Sequence, residues 1–205
     1  DPDFMAVKAA IDAGAIGTVE MVTISSRDPG PPPLDYIRRS GGIFRDMTIH
    51  DFDMARWLLG EEPETVVAQA SVLTDPAIGE AGDHDSVNVI LRTPSGRQAV
   101  ITNSRRAAYG YDQRIEVLGS LGAVAAENHR EANIELATAA GFTRPPLLNF
   151  FMTRYTQAYA NEIAAFIRAV NGRTPTPTTG EDGLRALLLA DAALRSAQEG
   201  RAVQV

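Results

Sequence analysis

The strongest constraint on the fold lies in the middle of the chain. Between Glu64 and Gly119, four segments follow one another: Glu64–Leu73, Ser86–Thr93, Gln98–Arg105 and Gln113–Gly119. They carry the branched apolar residues that strands favour, Val87, Val89, Leu91, Val100, Ile115 and Val117 among them. No helical repeat intervenes. A parallel βαβ array needs a crossover helix between neighbouring strands, so strands strung together in this way pair mainly antiparallel. TPSGRQ, with Ser95 and Gly96 at its tip, is a hairpin signal. An earlier strand, TVEMVTISSRD, alternates Val19, Met21, Thr23 and Ser25 with Glu20, Val22, Ile24 and Ser26. It stops at DPGPPP, where fixed proline dihedrals impose an extended loop. GSLGA leads into a further strand near Ala123–Glu127, and Ala132–Ala137 is another candidate.

Helices flank this block. Asp3–Ala13 places Phe4, Val7, Ala10 and Ile11 on one face, with Gly14 as its stop. Tyr155–Val170 repeats Tyr159, Ile163, Phe166, Ile167 and Val170 at helical spacing before Asn171-Gly172. The stiff linker RTPTPTT then precedes Thr179–Asp182, a capping-box-like start to an alanine- and leucine-rich helix that runs to about Gln198. These elements predict an α+β fold for residues 1–205 as one domain, an open and mainly antiparallel sheet of about six strands with helices on one face. Apolar residues occur on both phases of SVNVILRT and QAVITNS. The second face is therefore expected to be an oligomer interface, giving a homodimer or homotetramer.

Chemistry concentrates in Gly41–Gly60, GGIFRDMTIHDFDMARWLLG. On a helix, Asp46, His50 and Asp53 stand at i, i+4 and i+7 and share one face, while Ile49, Met54, Trp57 and Leu58 form a separate apolar stripe. A carboxylate–imidazole–carboxylate row can present acid/base groups to a cleft. The same spacing also suits a capping aspartate, a half-buried histidine and a solvated charge. Three ligands spread over seven residues span about 10 Å at 1.5 Å per residue, too far to bind one metal together. Asp83-His84-Asp85 is metal-like in composition and is read as a solvated loop before a strand.

Composition excludes several classes. The net charge of −7 leaves no basic stripe for a phosphate backbone, so no nucleic-acid partner is expected. The chain has no cysteine, hence no disulfide or thiolate chemistry. Lys8 is its only lysine, in an ordinary helical pattern. The opening DPDFMAVKAAIDAG has no signal-peptide pattern and no apolar run is long enough to span a bilayer, so a cytoplasmic protein and no membrane partner are expected. Without an initiating methionine, the chain reads as a piece of a longer one. No G-x-G triplet occurs, so the chain is not expected to hold a dinucleotide by itself.

The run GG-x-x-x-D-x-x-x-H-x-x-D resembles the active-site helix of the inositol-dehydrogenase/glucose–fructose-oxidoreductase-type (Gfo/Idh/MocA) family of NAD(P)-dependent enzymes. SSRDP, YGYDQRIEVLGSLG, FFMTRYTQAYANEIAAFI and TPTTGEDGLRALLLADAA are also similar to segments of that family, and the likeness covers nearly the whole chain. The resemblance implies a C-terminal substrate and assembly domain whose N-terminal Rossmann domain, and with it NAD and the family's catalytic lysine, lies outside this sequence. It implies oxidation of myo-inositol, or a related cyclic polyol or sugar, to the ketone, with the fragment alone inactive. By position it makes His50 the general acid/base and Asp46 the carboxylate beside it. Arg27, Asp28, Met47, Asp53, Tyr109 and Tyr111 become the substrate-binding residues. The alternative is a dimerisation or scaffold domain with the same fold and no chemistry, in which the polar residues would fail to converge on one cavity.

Overall fold

The computed structural model describes residues 1–205. The chain opens with helix α1 (Pro2–Asp12), capped by the Asp1 carboxylate, which accepts from the backbone N–H groups of Asp3 and Phe4. Strand β1 (Val19–Arg27) follows, then helix α2 (Leu34–Ser40). A π-helical turn (Phe44–Thr48) runs without a break into helix α3 (Ile49–Leu59). Next come β2 (Thr65–Ser71), the short helix α4 (Pro76–Glu80), β3 (Ser86–Arg92), β4 (Gln98–Ser104), β5 (Asp112–Gly119) and β6 (Gly122–Ala126). A small hairpin of β7 (Leu136–Thr138) and β8 (Gly141–Thr143) precedes helices α5 (Phe151–Arg154), α6 (Thr156–Val170) and α7 (Gly180–Glu199). The chain ends with β9 (Val203–Gln204).

Seven strands form one open sheet in the order β6-β5-β1-β4-β3-β2-β9. All pairings are antiparallel except β1 with β4, which run parallel from Met21↔Gln98 to Arg27↔Ser104. The sheet thus has one strand more than the pattern predicts. The extra strand, β9, is only two residues long and pairs with β2, too short to show any alternation. The expected strand at 132–137 is shifted to β7, which pairs with β8 and stands apart from the main sheet. The α2 helix, hidden behind the proline loop, starts at the first residue after Pro33.

Alternation sorts each strand between two environments. On β3, Val87, Val89 and Leu91 point into the core while Asn88, Ile90 and Arg92 point out. Helices α3 and α7 cover the inner face, where Phe52, Leu58, Leu59 and Leu189 meet Val66 and Ile101. Small residues let α7 come close: Ala186, Ala190, Ala192 and Ala193 are all buried. Ser196, also buried on α7, accepts from the Ala68 N–H at 2.9 Å and donates to the Arg201 carbonyl at 2.6 Å, tying α7 to the edge of the sheet. The outer face has no helix on it, and Met21, Val67, Ile90 and Val100 are exposed there among polar side chains.

The 41–60 stretch departs from a uniform α-helix in a way that matters for the site. A π-turn takes an extra residue into one turn and re-phases the side chains that follow. The buried side chains are Ile43, then Phe44, Met47 and Thr48 of the π-turn, then Asp51, Phe52, Ala55, Arg56, Leu58 and Leu59. Met54 and Trp57, expected in the buried stripe, are only half-buried and belong to the cavity described next.

Candidate active site

Two parallel strands and one re-phased helix place the polar groups. The backbone N–H of Asp28 donates to the Ser104 carbonyl at 3.0 Å, extending the β1–β4 pairing by one step. The residues that leave these two strand ends, Asp28 and Arg105, therefore emerge side by side. From the other side, Gly41 and Gly42 adopt φ of 90° and 85°, a left-handed pair that L-residues rarely tolerate. They fold α2 back over the π-turn. A Cβ on Gly42 would meet Oδ1 of Asp83 at 3.0 Å, and the next residue, Ile43, donates its N–H to that oxygen at 2.8 Å.

These elements enclose a cavity of about 1230 Å³. Asp28, Asp46, Met47, His50 and Tyr111 all line it, so five of the eight residues singled out from the sequence come together. Asp46 is neither a helix cap nor bonded to His50. Its Oδ1 accepts from the Tyr36 hydroxyl at 2.5 Å, and its Oδ2 pairs with Nη1 of Arg105 at 3.0 Å. The Arg105 side chain is 1% exposed and also reaches Asp83 at 3.5 Å. The ring of His50 is exposed in the cavity and makes no hydrogen bond within the chain, leaving both nitrogens available to a ligand. Tyr111 stands edge-on to Phe150 and Tyr155, with centroids 5.4 and 6.1 Å away. Burial pushes the Tyr111 phenol up, and that of Tyr155 up to about 12, so both are neutral donors.

Burial also dominates the acids. It lifts Asp28 to about 6, with Arg105 pulling downward and Asp46 pushing upward. Asp51 points away from the cavity into the core. Burial raises it to about 7 against a hydrogen bond from Asn103 Nδ2 at 2.6 Å, and the nearby Asp28 adds to the rise. A carboxyl this far from its ordinary value of 3.8 retains its proton well into the neutral range.

Three of the sequence candidates lie outside the cavity. Asp53, one turn on from His50, does not line the cavity and pairs with Arg56 at 3.1 Å; Arg56 also holds Glu62 and Asp182. Arg27 and Tyr109 belong to a cluster around Asp112, with Arg27 Nη1 donating to the Tyr109 hydroxyl at 2.6 Å. The Asp83-His84-Asp85 loop is not solvated at its two acids, which are buried. Asp85 accepts from the N–H groups of Leu73, Thr74 and Asp75 and from the Ser86 hydroxyl. No cluster of three or more histidine or acidic side chains is arranged to hold a metal ion. Sequence reasoning missed Tyr36, Arg105, Trp57, Gln113 and Tyr155, which all line the cavity. For Arg105 a signal existed: NSRR and SSRD are both strand ends, and pairing those two strands brings Arg105 to Asp28.

Residues 4–125 match the family described as the GFO/IDH/MocA C-terminal domain. This chain belongs to the GFO/IDH/MocA family. It is similar to the inositol 2-dehydrogenase of Rhizobium meliloti (68% identical over 205 residues) and to the myo-inositol 2-dehydrogenase of Thermotoga maritima (52% identical). Both likenesses cover all of this chain but only 62% and 61% of the relatives' length. Among solved structures, a myo-inositol dehydrogenase from Corynebacterium glutamicum superposes with a TM-score of 0.96 at 44% identity, covering all of this chain and 62% of that one. A scyllo-inositol dehydrogenase from Lactobacillus casei, solved with NAD(H) and scyllo-inositol, gives a TM-score of 0.90 at 27% identity over the same shares. As a GFO/IDH/MocA C-terminal domain, the chain has the α+β open sheet of that family, and its relatives are oxidoreductases that act on inositol by name.

Proposed function

We propose that residues 1–205 are the substrate-binding and acid/base domain of a two-domain, NAD-dependent dehydrogenase that oxidises myo-inositol, or a closely related cyclic polyol or sugar, to the ketone. One observation carries this reading. Asp28, Asp46, His50 and Tyr111 converge on a single large cavity in a chain 68% identical to an inositol 2-dehydrogenase.

The residues present do not fit a dinucleotide. There is no G-x-G turn, and the cavity wall carries Asp28, Asp46 and Glu162, acids that oppose a pyrophosphate. NAD, whose chemistry is hydride acceptance, is therefore assigned to the part of the parent enzyme beyond this chain, and the fragment alone should be inactive. Here the protein's work is to hold the polyol and manage its proton. Asp46, its carboxylate fixed by Tyr36 and Arg105, accepts a ligand hydroxyl on a remaining lone pair. His50 takes the proton of the hydroxyl being oxidised, a role suited to an imidazole with both ring nitrogens free of partners within the chain. Tyr111 offers a ring face and a hydroxyl to the cyclic polyol.

Two surfaces support the wider assembly. The apolar face of α6 (Ile163, Phe166, Ile167 and Val170) is exposed and continues from Tyr159 and Glu162 at the cavity. We take it as the seat of the cofactor domain. The uncovered sheet face, with Ile90 and Val100 exposed, is taken as the contact with a second copy in a homodimer or homotetramer. No helix is long and apolar enough to cross a membrane; a cytoplasmic site of action is part of the proposal.

The test is an NAD⁺ reduction assay on the full-length protein with a panel of inositols and sugars. Myo-inositol or a near relative should be turned over, and His50→Ala should lower kcat by about 100-fold or more while NAD affinity is retained. Unchanged turnover in His50→Ala would remove the histidine from the reaction.

A further inference from the structure

Asp46 is gripped from both sides, and one grip comes from a residue that the sequence did not advertise. Tyr36 lies ten positions earlier, on α2, a helix with few contacts to the rest of the fold. The left-handed glycines at 41 and 42 reverse the chain between the two residues. The Tyr36 ring is about half exposed and lines the cavity, yet its hydroxyl is spent on Oδ1 of Asp46. Arg105, fully buried, takes Oδ2. Each carboxylate oxygen accepts two hydrogen bonds, so one place on each remains for a ligand. With donors fixed at both ends, the carboxylate cannot rotate about its Cβ–Cγ bond without breaking a charge-assisted hydrogen bond.

We propose that Tyr36 is a positioning residue of the active site, holding the Asp46 carboxylate in the orientation that receives the polyol hydroxyl, with Arg105 as the second clamp. The inference rests on the dehydrogenase reading above. Its hydrogen bond to Asp46, with burial adding, pushes the Tyr36 phenol above its ordinary range, so the hydroxyl is a donor throughout the neutral range. The residue does not touch the reacting carbon. It acts through Asp46, and its contribution exists only while Asp46 is a carboxylate. A tyrosine that merely packed at the cavity mouth would contribute the same whatever stood at position 46.

A double-mutant cycle on the full-length enzyme separates these roles. Tyr36→Phe keeps the ring and removes the donor. It should lower kcat/KM for the polyol about tenfold, the usual weight of a hydrogen bond to a charged group. In an Asp46→Asn background the same change should cost less than about threefold, because the charged acceptor is gone. Thermal melting of each variant confirms that the comparison is made on folded protein. Wild-type kcat/KM in Tyr36→Phe, or equal losses in both backgrounds, would overturn the proposal while leaving the dehydrogenase reading intact. Should Asp46→Asn itself turn over like wild type, the assignment of Asp46 fails, and the role of Tyr36 falls with it.

Discussion

The molecule builds the same three-part cluster twice, an aspartate bonded by a tyrosine hydroxyl and paired with arginine, and uses the two copies differently. Asp112, on β5, has a side chain with no exposure, and its oxygens are saturated. Arg114 donates to both at 2.7 and 2.9 Å, Asn128 donates at 2.6 Å, and Tyr109 and Arg27 complete the set. Asp46 has two donors, Tyr36 and Arg105, and its side chain remains 14% exposed to the cavity. A saturated carboxylate can only fasten its surroundings. One with spare lone pairs facing a cavity can take a ligand. The difference lies in unused hydrogen-bonding capacity, because the residue types are the same.

Breaking the saturated copy should have the largest effect on folding. Asp112→Ala takes the acceptor from Arg114, Asn128 and Tyr109 and leaves Arg27 only the Tyr109 hydroxyl, and should destabilise the chain by about 2–3 kcal/mol, read by denaturant unfolding. Activity per folded molecule should persist in the full-length enzyme. The pH dependence gives a second handle. Burial works against the Asp112 carboxylate, but hydrogen bonds from Arg114, Tyr109 and Asn128 hold it down to about 2. Its contribution is thus complete above its ordinary value of 3.8 and is lost as pH falls towards 2. The variant should lack that acid limb.

Asp46→Asn should show the opposite profile. A loss of about 100-fold in kcat/KM, roughly 2.7 kcal/mol of transition-state stabilisation, is expected in protein that still folds, with a melting temperature lowered because the buried Arg105 keeps only Asp83 as a charged partner. A variant that unfolds instead would make this cluster structural too and erase the contrast. The smallest effect is the most diagnostic of the core beneath the site. Asp51 is raised from 3.8 to about 7, so between those values the unfolded chain loses its proton first and stability falls as pH rises. Asp51→Asn removes that penalty. It should be more stable than wild type at pH 8, on the order of 2 kcal/mol, and nearly equal to it at pH 4.

How far the sequence revealed this arrangement depended on the range of the forces involved. Strands announce themselves locally, since alternation such as Val87, Val89 and Leu91 needs no knowledge of partners. The register that sets Asp28 beside Arg105 is a tertiary fact, and so is the chain reversal that brings Tyr36 to Asp46. Helical spacing put Asp53 on the face of Asp46, but it assumed a uniform 3.6-residue turn. The π-turn breaks that period just after Asp46; His50 and Asp53 both stand in the regular helix that follows, where Asp53 is taken up by Arg56 and only His50 lines the cavity. Arg27 and Asp28 illustrate the period of two in a strand: neighbours in sequence, they leave β1 in different directions, one to Asp112 and one to the cavity. The apolar residues on both phases of β3 and β4 are the ground for the proposed contact with a second copy, and in the fold Ile90 and Val100 lie exposed on that face.

The most direct test of the account is a crystal structure of the full-length protein with NAD⁺ and myo-inositol. The inositol ring should lie inside the cavity, with hydroxyls within hydrogen-bond distance of Asp46 and His50 and with the Tyr36–Asp46 bond preserved. A ring bound instead beside Asp53, or in the Arg27–Tyr109–Asp112 cluster, would contradict it.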